Sequence, residues 1–177
     1  GLSCATTYYY RVRASIYGCG TSTNSNTITV NTLACCACVS YTWCQKSDYG
    51  GSNVTYGIAF SIGTKGYKGG QNSEFWEWDQ ATNVWTQKAD LIGGARNYPV
   101  GFSIGTKGYI GTGSNGGINY YKDFWEYNQA TNLWTRKADF GGVGRWRAVG
   151  FSIGTKGYIG TGWDGSGYKQ DFWEYDQ

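Results

Sequence analysis

The sequence predicts an all-β protein, built of repeated four-stranded antiparallel sheets set side by side as blades of a β-propeller. Three observations predict it. FSIGTKGY is written three times, at Phe60–Tyr67, Phe102–Tyr109 and Phe151–Tyr158, with the phenylalanines 42 and then 49 residues apart. Each copy is followed by an acidic-aromatic block, Glu74–Trp78, Asp123–Tyr127 and Asp171–Tyr175. A third block, W-x-x-K-x-D, stands at Trp43–Asp48, Trp85–Asp90 and Trp134–Asp139. Repetition at this period marks supersecondary units that bury their apolar faces only against neighbours.

The second repeat serves as the pattern. Val100–Ile104 is short and apolar, the first strand. Gly105-Thr106-Lys107-Gly108 is a turn, because glycine supplies the positive φ that tight turns need. Tyr109-Ile110 resumes an extended run that stops in glycine, and a polar Gly/Asn loop follows. Asp123–Asn128 alternates Phe124 and Glu126 against Trp125 and Tyr127, the period of a strand. Gln129-Ala130-Thr131-Asn132 is a tight connection, and Leu133–Asp139 is the fourth strand. Four short strands per repeat describe one propeller blade. No window carries a helical apolar stripe, and 16 Tyr, 9 Trp and 7 Phe favour sheet.

The blades fall at about 50–90, 91–139 and 140–177, with 41–48 as a fourth strand that precedes them. Three blades are too few for a ring, since closed ones have roughly four to eight. The favoured expectation is a chain that continues past Gln177. Assembly of several copies through the open blade edges is the alternative.

Glycine pairs, a following Tyr, the Asp-Phe-Trp-Glu-Tyr block and a Trp-bearing last strand resemble the kelch repeat over about Tyr41–Gln177. Gly69-Gly70 matches that family's di-glycine; Gly111-Thr112-Gly113 and Gly160-Thr161-Gly162 depart from it by one Thr. The resemblance implies a kelch propeller. Residues 1–33 are of another kind. Thr6–Ala14 alternates, with Tyr8, Val12, Arg13 and Ala14, and Asn26–Val30 reads as a further strand. This is similar to the last two strands of a fibronectin type III domain, and implies a fragment of a β-sandwich. Residues 34–40 form a Cys-rich linker. Near-identical blades after such a module resemble large multidomain surface proteins of the Bacteroidota. That resemblance implies a secreted or cell-surface location.

Six cysteines stand at Cys4, Cys19, Cys35, Cys36, Cys38 and Cys44, with none from Gly50 onward. An even count favours disulfides in an oxidising compartment. Roughly 45 Å of extended chain separates Cys4 from Cys19, so the two do not pair across one straight strand. Free thiols, or zinc held by Cys35, Cys36, Cys38 and Cys44, are the alternatives.

The chain has no histidine, which removes the Ser-His-Asp and Cys-His nucleophile systems. No P-loop motif and no 18-residue apolar run are present, so neither a phosphate-loop cofactor nor a membrane-spanning helix is expected. No cofactor and no metal are expected. The net charge of +3 is dispersed over repeat-locked positions such as Lys65, Lys107 and Lys156, which argues against nucleic acid. The carboxylates Glu77, Glu126, Glu174, Glu74, Asp123 and Asp171 recur in every repeat, which marks them as structural rather than as an acid–base pair.

Differences between the repeats point to a binding face. The first-to-second turns are identical. The second-to-third loops instead span 8, 15 and 14 residues from Tyr to Phe, and the fourth-to-first loops vary in sequence. In an up-and-down blade both variable connections emerge on one face. The residues there that break the repeat are Arg96, Tyr98, Tyr120, Tyr121, Arg145, Trp146, Arg147 and Trp163. Arg, Tyr and Trp are enriched where proteins recognise partners. The expected function is therefore a non-catalytic module that binds a protein or a glycan through this face. The alternatives are a repetitive, filament-forming surface protein, or an enzyme whose active site lies in a missing part.

Overall fold

A computed structural model describes residues 43–177 and, before them, four short strands. These are β1 (Thr7–Tyr10), β2 (Ser15–Ile16), β3 (Gly20–Thr21) and β4 (Ile28–Asn31). β1 pairs antiparallel with β4, and β2 with β3. The chain divides into two compact units, Gly1–Lys46 and Ser47–Gln177. The fibronectin-like reading and five of the six cysteines fall mostly or wholly outside the described residues. Cys44 is disulfide-bonded.

The second unit is all-β, with three antiparallel sheets in chain order. The first holds β5 (Ile58–Ile62), β6 (Lys65–Gly69), β7 (Phe75–Asp79) and β8 (Val84–Lys88). The second holds β9 (Val100–Ile104), β10 (Lys107–Gly111), β11 (Phe124–Asn128) and β12 (Leu133–Arg136). The third holds β13 (Val149–Ile153), β14 (Lys156–Gly160) and β15 (Phe172–Asp176). Each strand pairs with its sequence neighbour, the meander that the repeated blocks predict. The two-residue Gly-Thr loops put Gly63, Gly105 and Gly154 at φ of 56°, 54° and 58°, where an L side chain is strained. Asn83 and Asn132 close the β7–β8 and β11–β12 connections in the left-handed region, which Asn tolerates.

The stretch from 43 to 49 is not a strand, contrary to the expectation for 41–48. A strand exists through its pairing, and among the described residues none pairs with it. It keeps another part of the repeat's pattern. The Ser47 N–H donates to Asn83 Oδ1 at 3.0 Å, and its carbonyl accepts from Trp85 Nε1 at 3.3 Å. Ala89 makes the same pair of bonds with Asn132 and Trp134, at 3.0 and 2.8 Å. In the first two blocks the residue after W-x-x-K thus clips onto the last hairpin of the following sheet.

Sheets stack on one another through two apolar clusters. Ile62, Tyr67, Phe75 and Leu91 meet Ile110, Tyr127 and Trp134 between the first sheet and the second. Val100, Phe102, Ile104, Tyr109 and Phe124 meet Phe140 and Ile159 between the second and the third. Glycine at Gly108 and Gly157 permits this approach: a Cβ there would stand 2.4 Å from the Phe60 ring and 2.3 Å from the Phe102 ring. The repeated carboxylates bind side chains of their own sheets. Glu77, Glu126 and Glu174 accept from Tyr67, Tyr109 and Tyr158 hydroxyls at 2.5, 2.9 and 3.0 Å.

Candidate functional site

The variable loops pair with each other at one end of the sheets. Asn97 exchanges backbone hydrogen bonds with Ser114, at 2.7 and 3.0 Å. Trp146 does the same with Trp163, at 3.1 and 3.0 Å. Each fourth-to-first loop is thereby tied to the second-to-third loop of its own sheet. The loops also link across sheets. The Tyr98 N–H donates to the Tyr56 carbonyl and the Arg147 N–H to the Tyr98 carbonyl, at 3.1 and 3.3 Å. Tyr56, Tyr98 and Arg147 hold the same place in their repeats, so equivalent positions line up along this face. Tyr98 and Arg147 take positive φ, 51° and 55°, a strained backbone for non-glycine residues.

An aromatic cluster results. Tyr56 stacks on Tyr98 with centroids 4.3 Å apart, and Tyr98 meets Trp146 edge-on at 5.3 Å. Tyr120 also meets Trp146 edge-on at 6.1 Å, and Trp163 packs against Tyr168 at 4.9 Å. The Arg147 guanidinium lies 4.6 Å from the Tyr98 ring centroid and 4.8 Å from that of Trp146. Trp146, Arg147, Trp163 and Tyr168 line a cavity of about 180 Å³. The indole N–H of Trp146 is buried and has no hydrogen-bond partner among the described residues. A buried donor left unmatched costs about 1–3 kcal/mol.

Both long loops are held in shape from within. Ser114 Oγ accepts from the N–H groups of Gly116 and Gly117 at 3.2 and 2.7 Å, and the Tyr120 hydroxyl donates to the Gly117 carbonyl at 3.0 Å. In the third sheet Asp164 accepts from Ser166 and Gly167 N–H groups and pairs with Lys169 at 2.7 Å. The Lys169 ammonium and these donors hold the Asp164 carboxyl far below the usual carboxylate range. A surface ordered before binding loses less entropy on binding.

Three residues expected on this face are not part of it. Arg96 and Arg145 are buried, 1 % and 0 % exposed. Arg96 grips Asp123 through two bonds of 2.8 Å and donates to the Thr112 and Gly93 carbonyls. Arg145 grips Asp171 at 2.5 and 2.7 Å and donates to the Thr161 and Val143 carbonyls. With every arm of the fork satisfied by its own sheet, neither guanidinium is free to meet a ligand. Burial pushes the Asp123 carboxyl up, but Arg96 and the Trp125 indole outweigh it and leave it below the usual range. Arg145 brings Asp171 down to about 2. Tyr121 is half-buried beneath Arg96, 5.0 Å from its guanidinium, and belongs to the same support. Tyr98, Tyr120, Trp146, Arg147 and Trp163 are the predicted residues that the structure brings together. Tyr56 and Tyr168 join them unpredicted. Tyr56 was readable as the repeat equivalent of Tyr98, and Tyr168 as part of a variable loop.

Among the described residues no group of three metal-ligating side chains converges, and no helix is long and apolar enough to cross a membrane. No protein-family model matches the sequence, and no curated protein matches it. Among solved structures, the β-propeller-like protein YjhT superposes with a TM-score of 0.55 at 24% identity, over 60% of this chain and 34% of that one. This chain therefore spans about a third of that protein's length, and the likeness concerns fold.

Proposed function

We propose that the chain is a non-catalytic binding module of a secreted or cell-surface protein, with its sheets serving as blades of a kelch-type propeller. Residues before the Cys-rich linker would be the end of a fibronectin-like sandwich. Propeller-like stacking of three sheets and the likeness to YjhT support the propeller reading. The disulfide at Cys44 supports an oxidising compartment.

One observation carries the binding reading. Trp146 presents a buried, unmatched N–H beside a cavity walled by flat rings and a guanidinium. Such a site suits a ligand that offers a flat or ring-shaped apolar face together with an acceptor oxygen. A sugar residue has both, so a glycan is the favoured ligand and a protein loop the second. The test is binding to a glycan array and a panel of surface proteins. Trp146→Phe and Trp163→Ala should each weaken a true ligand by about tenfold or more. Ligand binding that survives both substitutions contradicts this site.

A further inference from the structure

A second cavity, of about 210 Å³, lies among the loops of the first and second sheets, both of which have all four strands. Gln71, Arg96, Asn97, Ser114 and Asn115 are among its walls. A cavity of about 150 Å³ admits a benzene ring, so this one has room for a single six-membered ring. The repeat explains why it is there. Asn97 and Ser114 exchange backbone hydrogen bonds, as Trp146 and Trp163 do one repeat later. Gln71 stands three residues before Glu74, as Tyr120 stands three before Asp123. The seam between the second and third sheets therefore has Tyr120, Trp146 and Trp163 where this one has Gln71, Asn97 and Ser114. Two amides and a hydroxyl are too short to fill the space that three rings take up.

These side chains keep hydrogen-bonding groups that the fold does not use. Gln71 Oε1 accepts from the Thr55 and Tyr56 N–H groups at 2.6 and 3.4 Å, which leaves its NH2 over. Asn115 Oδ1 accepts from the Asn119 N–H at 2.9 Å, which leaves its NH2 over as well. Ser114 is fully buried, and its Oγ accepts from the Gly116 and Gly117 N–H groups without giving its own proton to a described residue. Among the described residues neither end of the Asn97 amide has a partner. The walls carry no unpaired charge, because the Arg96 guanidinium is held by Asp123.

We infer that this cavity is a second, polar subsite of the loop face, taking an uncharged, hydroxyl-rich sugar unit next to the one held at Trp146. The inference rests on the glycan reading of that face. Several unmatched donors beside an unmatched acceptor suit a ring that carries hydroxyls, since each hydroxyl both donates and accepts. A charged group would lose its water there and gain no counter-charge. Tyr98 joins the two cavities. It follows Asn97, its carbonyl accepts from the Arg147 N–H at 3.3 Å, and its ring meets Trp146 at 5.3 Å. The ligand is then a chain of linked sugars rather than a single one. One unit lies against the aromatic wall, and its neighbour is held by the amides.

The test is an array of neutral glycans from one to about six sugars long, followed by titration calorimetry of the best binder and its shorter homologues. Affinity should rise at least about tenfold from the single sugar to the longer forms, as two linked contacts require. Asn97→Ala removes an amide that the fold does not bond, and Gln71→Glu keeps the oxygen that holds Thr55 and Tyr56 while removing the spare donor. Each should weaken the longer forms about tenfold and leave the single sugar and the melting temperature unchanged. Affinity that does not grow with length, or a gain that survives both substitutions, overturns the polar subsite. Trp146→Phe tells the two failures apart. A neutral glycan lost by that substitution but indifferent to length and to Asn97→Ala overturns the polar subsite alone, whereas an array without a binder overturns the glycan reading with it.

Discussion

Trp134 and Trp146 sit in opposite surroundings, and the contrast separates what holds the sheets together from what lies on the variable loop face. Trp134 is buried between two sheets, with its ring on Phe75 and Tyr127 and its N–H given to the Ala89 carbonyl. Trp146 lies on the loop face with its N–H buried and unmatched, bordering a cavity. The first has a counterpart in Trp85; the equivalents of the second are Asn97 and Thr55. A side chain that recurs in both four-stranded sheets serves the stacking of sheets. One that appears in a single repeat, at the cost of an unmatched donor, is not explained by the stacking of sheets.

The largest expected effect lies in the seam. Trp134→Ala should lower stability by about 3–5 kcal/mol, the usual loss for a buried aromatic. Trp85→Ala, at the half-buried outer end of the stack, should lose roughly half as much. Urea denaturation of both variants measures this, and equal losses would mean that the two indoles are equally covered.

Asp123→Ala should follow, at about 3 kcal/mol, because it leaves the Arg96 guanidinium buried without its counter-charge. If Arg96 instead served a ligand, the same substitution would change affinity and leave stability nearly intact. The smallest effect is acidic. Asp171 has its carboxyl lowered to about 2 in the folded state, chiefly by Arg145, against an ordinary value of roughly 3.9. Its contribution is fully present above about pH 4 and is lost as pH falls toward 2. Asp171→Asn should flatten that part of a melting-temperature profile between pH 5 and 2, whereas Asp164→Asn should leave Arg145 and the seam untouched.

Much of this architecture was legible in the chain. The repeated Phe-Ser-Ile-Gly-Thr-Lys-Gly-Tyr, Phe-Trp-Glu and Trp blocks became the first two, third and fourth strands of the sheets, because strand alternation and glycine turns are local. The role of Arg96 and Arg145 was misread, although a signal for it existed. The repeat position reads Val54, Arg96 and Arg145, while the acid position reads Glu74, Asp123 and Asp171. Arg appears only where Asp can meet it; in the first repeat Glu74 accepts instead from Ser52, at 3.0 and 2.8 Å. The lone strand expected at 41–48 failed for a different reason. Its pattern is that of a fourth strand, but a pattern does not supply the partner that makes a strand. The unmatched N–H of Trp146 was not legible at all, since it depends on which loops close over the ring.

The most direct test is a paired measurement on Trp134→Ala and Trp146→Phe, reading melting temperature and binding to the glycan and surface-protein panel together. Trp146→Phe keeps the ring and removes only the unmatched donor. The account predicts that Trp134→Ala melts far below the parent protein, while Trp146→Phe melts at or slightly above it and loses ligand by about tenfold. A Trp146→Phe protein that melts well below the parent, or that binds every ligand of the parent unchanged, would contradict it.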